Sequence, residues 1–239
     1  MNNKLLIIYR ACGKEMDSNS FNQSRPDWFS KKKCWESFYM QFGWEENTDI
    51  IVVFDGSPDE EFAKYLNSFD INGIKYLNNI GNKESLIYCY ELAKKSEFDY
   101  VFFAEDDYLY LPNSYNILIE GLNSIDGFIT LYGHLNRYLD PKQTGDITFG
   151  QDYVLLSQSS FWRSEDSTTG SVAMSKEFFN LVIEDLIKFN ISDCGFYREQ
   201  LLKNNRRVFS PLPPKSTHVN KFFSSPLINW QKYNNSIEI

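Results

Sequence analysis

At 239 residues, 42% hydrophobic and 23% charged, the chain has the make-up of a soluble globular protein, long enough for one large domain or two small ones. Its formal net charge of −8 argues against nucleic acid as the main partner. An anionic small ligand would need a metal ion or local basic groups to offset that field.

The elements follow in chain order. "MNNKLLIIYRACGK" has too few apolar residues before Arg10 for a secretory leader or a membrane span, and "KLLIIYR" reads as a first buried strand. This places the chain in the cytoplasm, with peripheral membrane contact left open. Ser30 caps a helix in which Trp35, Phe38, Tyr39 and Phe42 recur at helical spacing, and Lys31 to Lys33 fall on its wet side. "DIIVVFDGSPDE" is a second strand ending in a turn at Asp55. "EEFAKYLNSF" is a helix, "IKYLNN" a third strand, "GNKESLIYCYELAKKS" a helix opened by Gly81 and Asn82, and "DYVFFAEDD" a fourth strand. Four alternations predict an α/β domain with a mostly parallel sheet flanked by helices, whose ligands sit beyond the carboxyl ends of the strands.

The second half is less regular. "NSYNILIEGL" is a candidate helix, "DGFITLYGHL" a strand, and 140–151 a loop. "DYVLLSQ" and "SVAMS" are strand-like pieces separated by "SFWRSEDSTTG". "KEFFNLVIEDLIKF" and "DCGFYREQLLKNN" are helices, "RRVFSPLP" a last strand, and the tail from Lys215 has no clear period. With no linker visible, 1–239 reads as a single domain. The four cysteines, Cys12, Cys34, Cys89 and Cys194, show neither a CxxC pair nor zinc spacing and read as reduced thiols.

Glu105, Asp106 and Asp107 end a strand of large apolar residues, and "YLYLP" turns apolar again at once. Three adjacent acids repel one another, and burial unpaired is costly. Either they hold a hard divalent cation or they act as general acid and base. A solvated turn is the ordinary alternative, and the apolar residues on both sides weaken it.

The segments "IIVVFDGSPD", "NNIGNKESLIYCYELAKKSEFDYVFFAEDD" and "EDDYLYLP" together resemble glycosyltransferases of the GT-A fold, with Glu-Asp-Asp as a version of the DXD motif and Phe54 where an Asp is usual. The resemblance covers Leu5 to Pro112, with patches beyond, and implies a Rossmann-like fold with a nucleotide-sugar-binding half, 1–112, and a smaller mixed acceptor-binding half with C-terminal tail, 113–239. It implies a metal-dependent, inverting enzyme moving a sugar from a nucleoside diphosphate, UDP favoured, to a hydroxyl acceptor. It implies Asp107 as ligand of Mn²⁺ or Mg²⁺, Asp106 behind it, and Glu105 facing ribose or base. Tyr9 and Arg10 would flank the base and Asp55 would accept from base or ribose. Asn79, Gly81 and Asn82 fit an anion site at a helix start as well as they fit a plain cap. By position "SDCGFYREQLLKNNRRVFSPLPPKSTHV" assigns Asp193 as general base, where an N-cap is the competing role, and His218 as the late histidine near metal or diphosphate. Glu199 and Asp166 stand in reserve. Thr168, Thr169 and Gly170 would shape the acceptor pocket, with Trp162 and Arg163 stacking on a sugar and His134 a half-buried structural histidine.

Two other readings fit. A nucleotidyltransferase of the sugar-nucleotide type also uses acids at strand ends with Mg²⁺, though such enzymes carry a Gly-rich Arg-Lys loop after the first strand, to which "YRACGKEMDSNS" bears only a faint likeness. A catalytically silent domain binding nucleotide sugars or glycans is the other.

Overall fold

A computed structural model describes residues 3–13, 24–138, 153–189 and 193–238. Strand and helix alternate as predicted through β1 (Leu5–Cys12), α1 (Lys31–Phe42), β2 (Thr48–Asp55), α2 (Glu61–Leu66), β3 (Gly73–Tyr76), α3 (Asn82–Lys94) and β4 (Tyr100–Glu105). β1 pairs in parallel with β2 and β4, and β2 with β3.

The inner strands β1 and β4 are apolar on both faces because helices cover both. In β1, Leu5, Ile7, Tyr9 and Ala11 join the core that receives Trp35, Phe38 and Phe42 of α1. Leu6 and Ile8 join the opposite core with Leu86 and Tyr90 of α3. The period of two therefore puts Arg10 on the α3 face and Tyr9 on the α1 face.

The second half adds β5 (Tyr108–Tyr110), α4 (Ser114–Ser124), β6 (Phe128–Ile129), β7 (Val154–Leu156), β8 (Phe161–Glu165), β9 (Val172–Ser175), α5 (Lys176–Phe189), α6 (Asp193–Asn204), β10 (Val208–Leu212), β11 (Ser216–His218) and α7 (Trp230–Ser236). Among the described residues nine strands form one mixed sheet in the order β3-β2-β1-β4-β9-β6-β10-β8-β7. The region predicted as a spacer, "SFWRSEDSTTG", contains β8, which pairs with both β10 and β7. Its Trp162 is fully buried and donates to Ser157 Oγ at 2.7 Å, so it stacks on no ligand. Arg163 is turned to Glu165 at 2.7 Å and lies over the Tyr138 ring.

The tail from Lys215 is also more ordered than its lack of period implies. β11 pairs antiparallel with β5 in a separate two-stranded ribbon, placing His218 opposite Tyr108. Asn229 caps α7 by accepting from Lys232 N at 2.9 Å, and Trp230 Nε1 donates to Ser225 O at 2.7 Å. Trp230, Leu109, Val219 and Cys34 then close a third small core behind the ribbon.

Candidate functional site: an ion-paired cleft at the strand ends

A cleft of about 630 Å³ opens at the carboxyl ends of β1, β2 and β4, where open α/β sheets bind ligands. Arg10, Asp55, Asn79, Gly81 and Asn82 line one part of it, Glu105, Asp106, Asp107 and His218 the middle, and Thr168, Thr169 and Gly170 the far wall. Twelve of the predicted site residues thus converge. Tyr9 does not: it is fully buried against Trp35 and Phe38, for the parity reason given above. Asp193 starts α6, and its side chain lies outside the described residues. Glu199 pairs with Lys203 at 2.8 Å. Asp166 borders a separate small pocket beside Arg206 and Arg207. His134 is partly buried against Phe223 and Tyr132.

Each acid of the run has its own cation. Arg10 Nε lies 3.0 Å from both Glu105 oxygens, with Nη2 2.8 Å from Oε2. Its Nη1 reaches the carbonyl of Asn82 at 2.8 Å and Ser85 Oγ at 3.2 Å, tying β1, β4 and the start of α3 together. Burial works against the guanidinium charge, but Glu105 outweighs it and raises the Arg10 pKa. Burial raises Glu105 to about 7 against the pull of Arg10. Gly170 makes room for this carboxylate. At φ +92°, a Cβ there would sit 3.2 Å from Glu105 Oε1.

Asp106 takes Lys31 Nζ at 2.8 Å and the Cys12 amide at 3.0 Å. Lys31 also donates to the Cys12 carbonyl at 2.7 Å and lies 3.1 Å from its Sγ. The prediction of a wet Lys31 is corrected: it is buried in the first turn of α1, where a cation opposes the helix dipole, and Asp106 provides the compensation. Burial alone would lower the Lys31 pKa; Asp106 raises it above the ordinary value. Lys32, by contrast, does point outward, to Glu61.

Asp107 accepts from Arg25 Nη2 at 2.5 Å, and its Oδ2 lies 3.1 Å from His218 Nε2. Burial would raise this carboxyl, yet His218 and Arg25 hold it well below the usual carboxylate range. Arg25 Nη1 also donates to the Val219 carbonyl at 2.7 Å. Asp55 accepts from the amides of Ile80 at 2.7 Å and Gly81 at 2.8 Å, so both its oxygens order the turn before α3. On the far wall Tyr108 donates to the Thr168 carbonyl at 2.9 Å, and Thr168 Oγ1 lies 2.9 Å from Tyr197 OH.

Sequence reasoning missed Arg25, Lys31 and Cys12 as parts of the cleft. A signal was available: three acids at a buried strand end require cations, and the basic residues nearest in the chain after β1 include these two. Asp107 and His218, expected at a divalent cation, lie 3.1 Å apart. Asp106 Oδ2 and Asp107 Oδ2 are already held by Lys31 and Arg25, and among the described residues no three His, Cys, Asp or Glu side chains group as a metal set.

No family model matches the chain, and no curated protein sequence matches it. Solved structures do match in fold. A structure from Bacillus anthracis assigned as a glucose-1-phosphate thymidylyltransferase is 12% identical, covers 98% of this chain and 97% of its own, and has a TM-score of 0.54. A 4-diphosphocytidyl-2C-methyl-D-erythritol synthase from Anaerococcus prevotii is 10% identical, covers 98% of this chain and 96% of its own, with a TM-score of 0.51. The chain has their fold. This corrects the expectation of sugar transfer from a nucleoside diphosphate to a hydroxyl acceptor, since these two structures, similar over nearly the whole chain, are nucleotidyltransferases. No helix among the described residues is long and apolar enough to cross a membrane.

Proposed function

We propose that the protein is a nucleotidyltransferase of the sugar-nucleotide type, taking a nucleoside triphosphate into the cleft. The observation that carries this is the pair Arg25 and Lys31, two cations supplied by the chain segment after β1 and aimed into the cleft at the strand ends. The fold shared with nucleotidyltransferases supports the same reading.

In this reaction an anionic oxygen of the co-substrate attacks the α-phosphorus of the triphosphate. A new P–O bond forms, the bond from the α-phosphorus to the bridging oxygen breaks, and pyrophosphate leaves with that electron pair. Charge builds on the departing oxygens, and the cations positioned in the cleft stabilise it. Arg25 and Lys31 bind the triphosphate by exchanging part of their contact with Asp107 and Asp106 for phosphate oxygens. Arg10 stays with Glu105 and keeps β1, β4 and α3 in register beneath the reacting atoms. Asn79 and Asn82, at the polar rim, face the nucleoside.

The test has two readouts. Thermal unfolding with CTP, UTP, dTTP, ATP and GTP, each with and without Mg²⁺, reports binding, because ligand at 100 times its dissociation constant adds about 2.7 kcal/mol. Release of pyrophosphate on adding sugar phosphates reports turnover. Stabilisation by one triphosphate together with pyrophosphate release supports the reading. Binding with no release against any anionic co-substrate would make this a nucleotide-binding domain, and no stabilisation by any triphosphate would sink the proposal.

A further inference from the structure

The cleft contains a second chemistry that triphosphate binding does not use. Leu86, Tyr90, Val172, Leu186, Phe196 and Tyr197 line it, and all six belong to the apolar core on the α3 side of the sheet. Asn82, Leu86 and Tyr90 lie four residues apart on one face of α3, so the helix leads inward from the charged mouth. At 1.5 Å per residue, Tyr90 lies about 12 Å along the helix axis from Asn82. The cavity therefore has a polar end at the strand termini and an apolar arm between α3, α5 and α6.

The arm suits neither a sugar nor a nucleobase. Its six residues carry only two side-chain polar atoms, the hydroxyls of Tyr90 and Tyr197, and the latter lies 2.9 Å from Thr168 Oγ1. Hydroxyls or ring nitrogens placed there would lose water without regaining partners, at about 1–3 kcal/mol each. An apolar group meets no such penalty, and cavities lined by Leu and aromatic side chains accept hydrocarbons.

We infer that the co-substrate is amphiphilic: its anionic group lies at the charged mouth of the cleft, beside the triphosphate held by Arg25 and Lys31, and an apolar group fills the arm lined by Leu86, Val172 and Phe196. This rests on the nucleotidyltransferase reading for the reaction, and on the cavity alone for the binding.

The experiment is calorimetric titration of the full chain with ethyl, butyl and hexyl phosphate, with inorganic phosphate as reference. The expected result is an affinity that rises about fourfold per methylene along the series. Val172→Phe and Leu86→Phe, which fill the arm, are expected to flatten the rise. Where either variant fails to fold, intermolecular NOEs from the hexyl chain to Phe and Tyr rings of the wild type make the same decision. NOEs to Phe196 and Tyr197 support the arm. An affinity independent of chain length overturns the inference, as do an undiminished rise in folded filled variants or NOEs confined to the exposed Phe161. The two proposals fail separately. Triphosphate binding with a flat alkyl series removes the amphiphile alone, and a rising series without triphosphate binding removes the nucleotidyl reaction alone.

Discussion

Glu105 and Asp107 stand two residues apart in one acidic run, yet their surroundings drive them in opposite directions. Glu105 is clasped by Arg10, both from regular strands of the sheet, and burial still raises it to about 7. Asp107 is held by Arg25, from the segment after β1, and by His218, from a ribbon 111 residues further on, and its pKa is lowered. One pair is scaffold, built into the β1–β4 register. The other is assembled from outside the main sheet and lines the cleft. Partner number, more than depth, separates their ionisation.

Breaking the scaffold pair has the largest expected effect. Arg10→Met leaves Glu105 buried without its cation and is expected to cost about 3–5 kcal/mol by urea unfolding. Nucleotide affinity would then fall only through loss of the fold. If Arg10→Met unfolds like the wild type, Arg10 is a ligand group and the distinction between the two pairs collapses.

The pH dependence sharpens the same contrast. Burial lifts Glu105 from its ordinary 4.5 to about 7, so its contribution is complete below about 4.5 and is lost as pH rises towards 7. Glu105→Gln is expected to remove that decline and give a flatter stability profile between those values. Asp107 has the opposite sign: its contribution is present above its ordinary pKa and is lost in acid, so the acid limb of the Glu105→Gln profile should match the wild type.

On the ligand side, Lys31→Met and Arg25→Met are each expected to cost about 2 kcal/mol of stability, as charged hydrogen bonds do. Each is also expected to weaken triphosphate binding by 10-fold or more, about 1.4 kcal/mol. Equal triphosphate affinity in wild type and both variants would show that these cations serve only Asp106 and Asp107. Gly170→Ala is the smallest test, expected to cost ~1–2 kcal/mol because alanine resists φ +92° and its Cβ crowds Glu105.

Much of the first half was legible because its determinants are local. Continuous apolar runs marked β1 to β4, helical spacing marked α1 and α3, and four strand ends converged where a parallel sheet requires. The second half was less so. β8 hides Trp162 and Glu165 in a stretch that reads as polar loop, because its neighbours β10 and β7 are distant or short. Tyr9 was misplaced by one step of the strand's two-residue period, which sends it to the α1 core and Arg10 to the cleft.

By itself the sequence determined the α/β class, the acidic run and the requirement that something positive meet it, because burial and repulsion depend only on residue type and neighbours. Tertiary structure alone decided what that positive partner is. Arg25, Lys31 and His218 reach the acids through the turn of α1 and the β5–β11 pairing, contacts that no local period encodes. It also decided that the cleft continues into an apolar arm, since that space lies between helices whose separation is set by packing across the whole sheet.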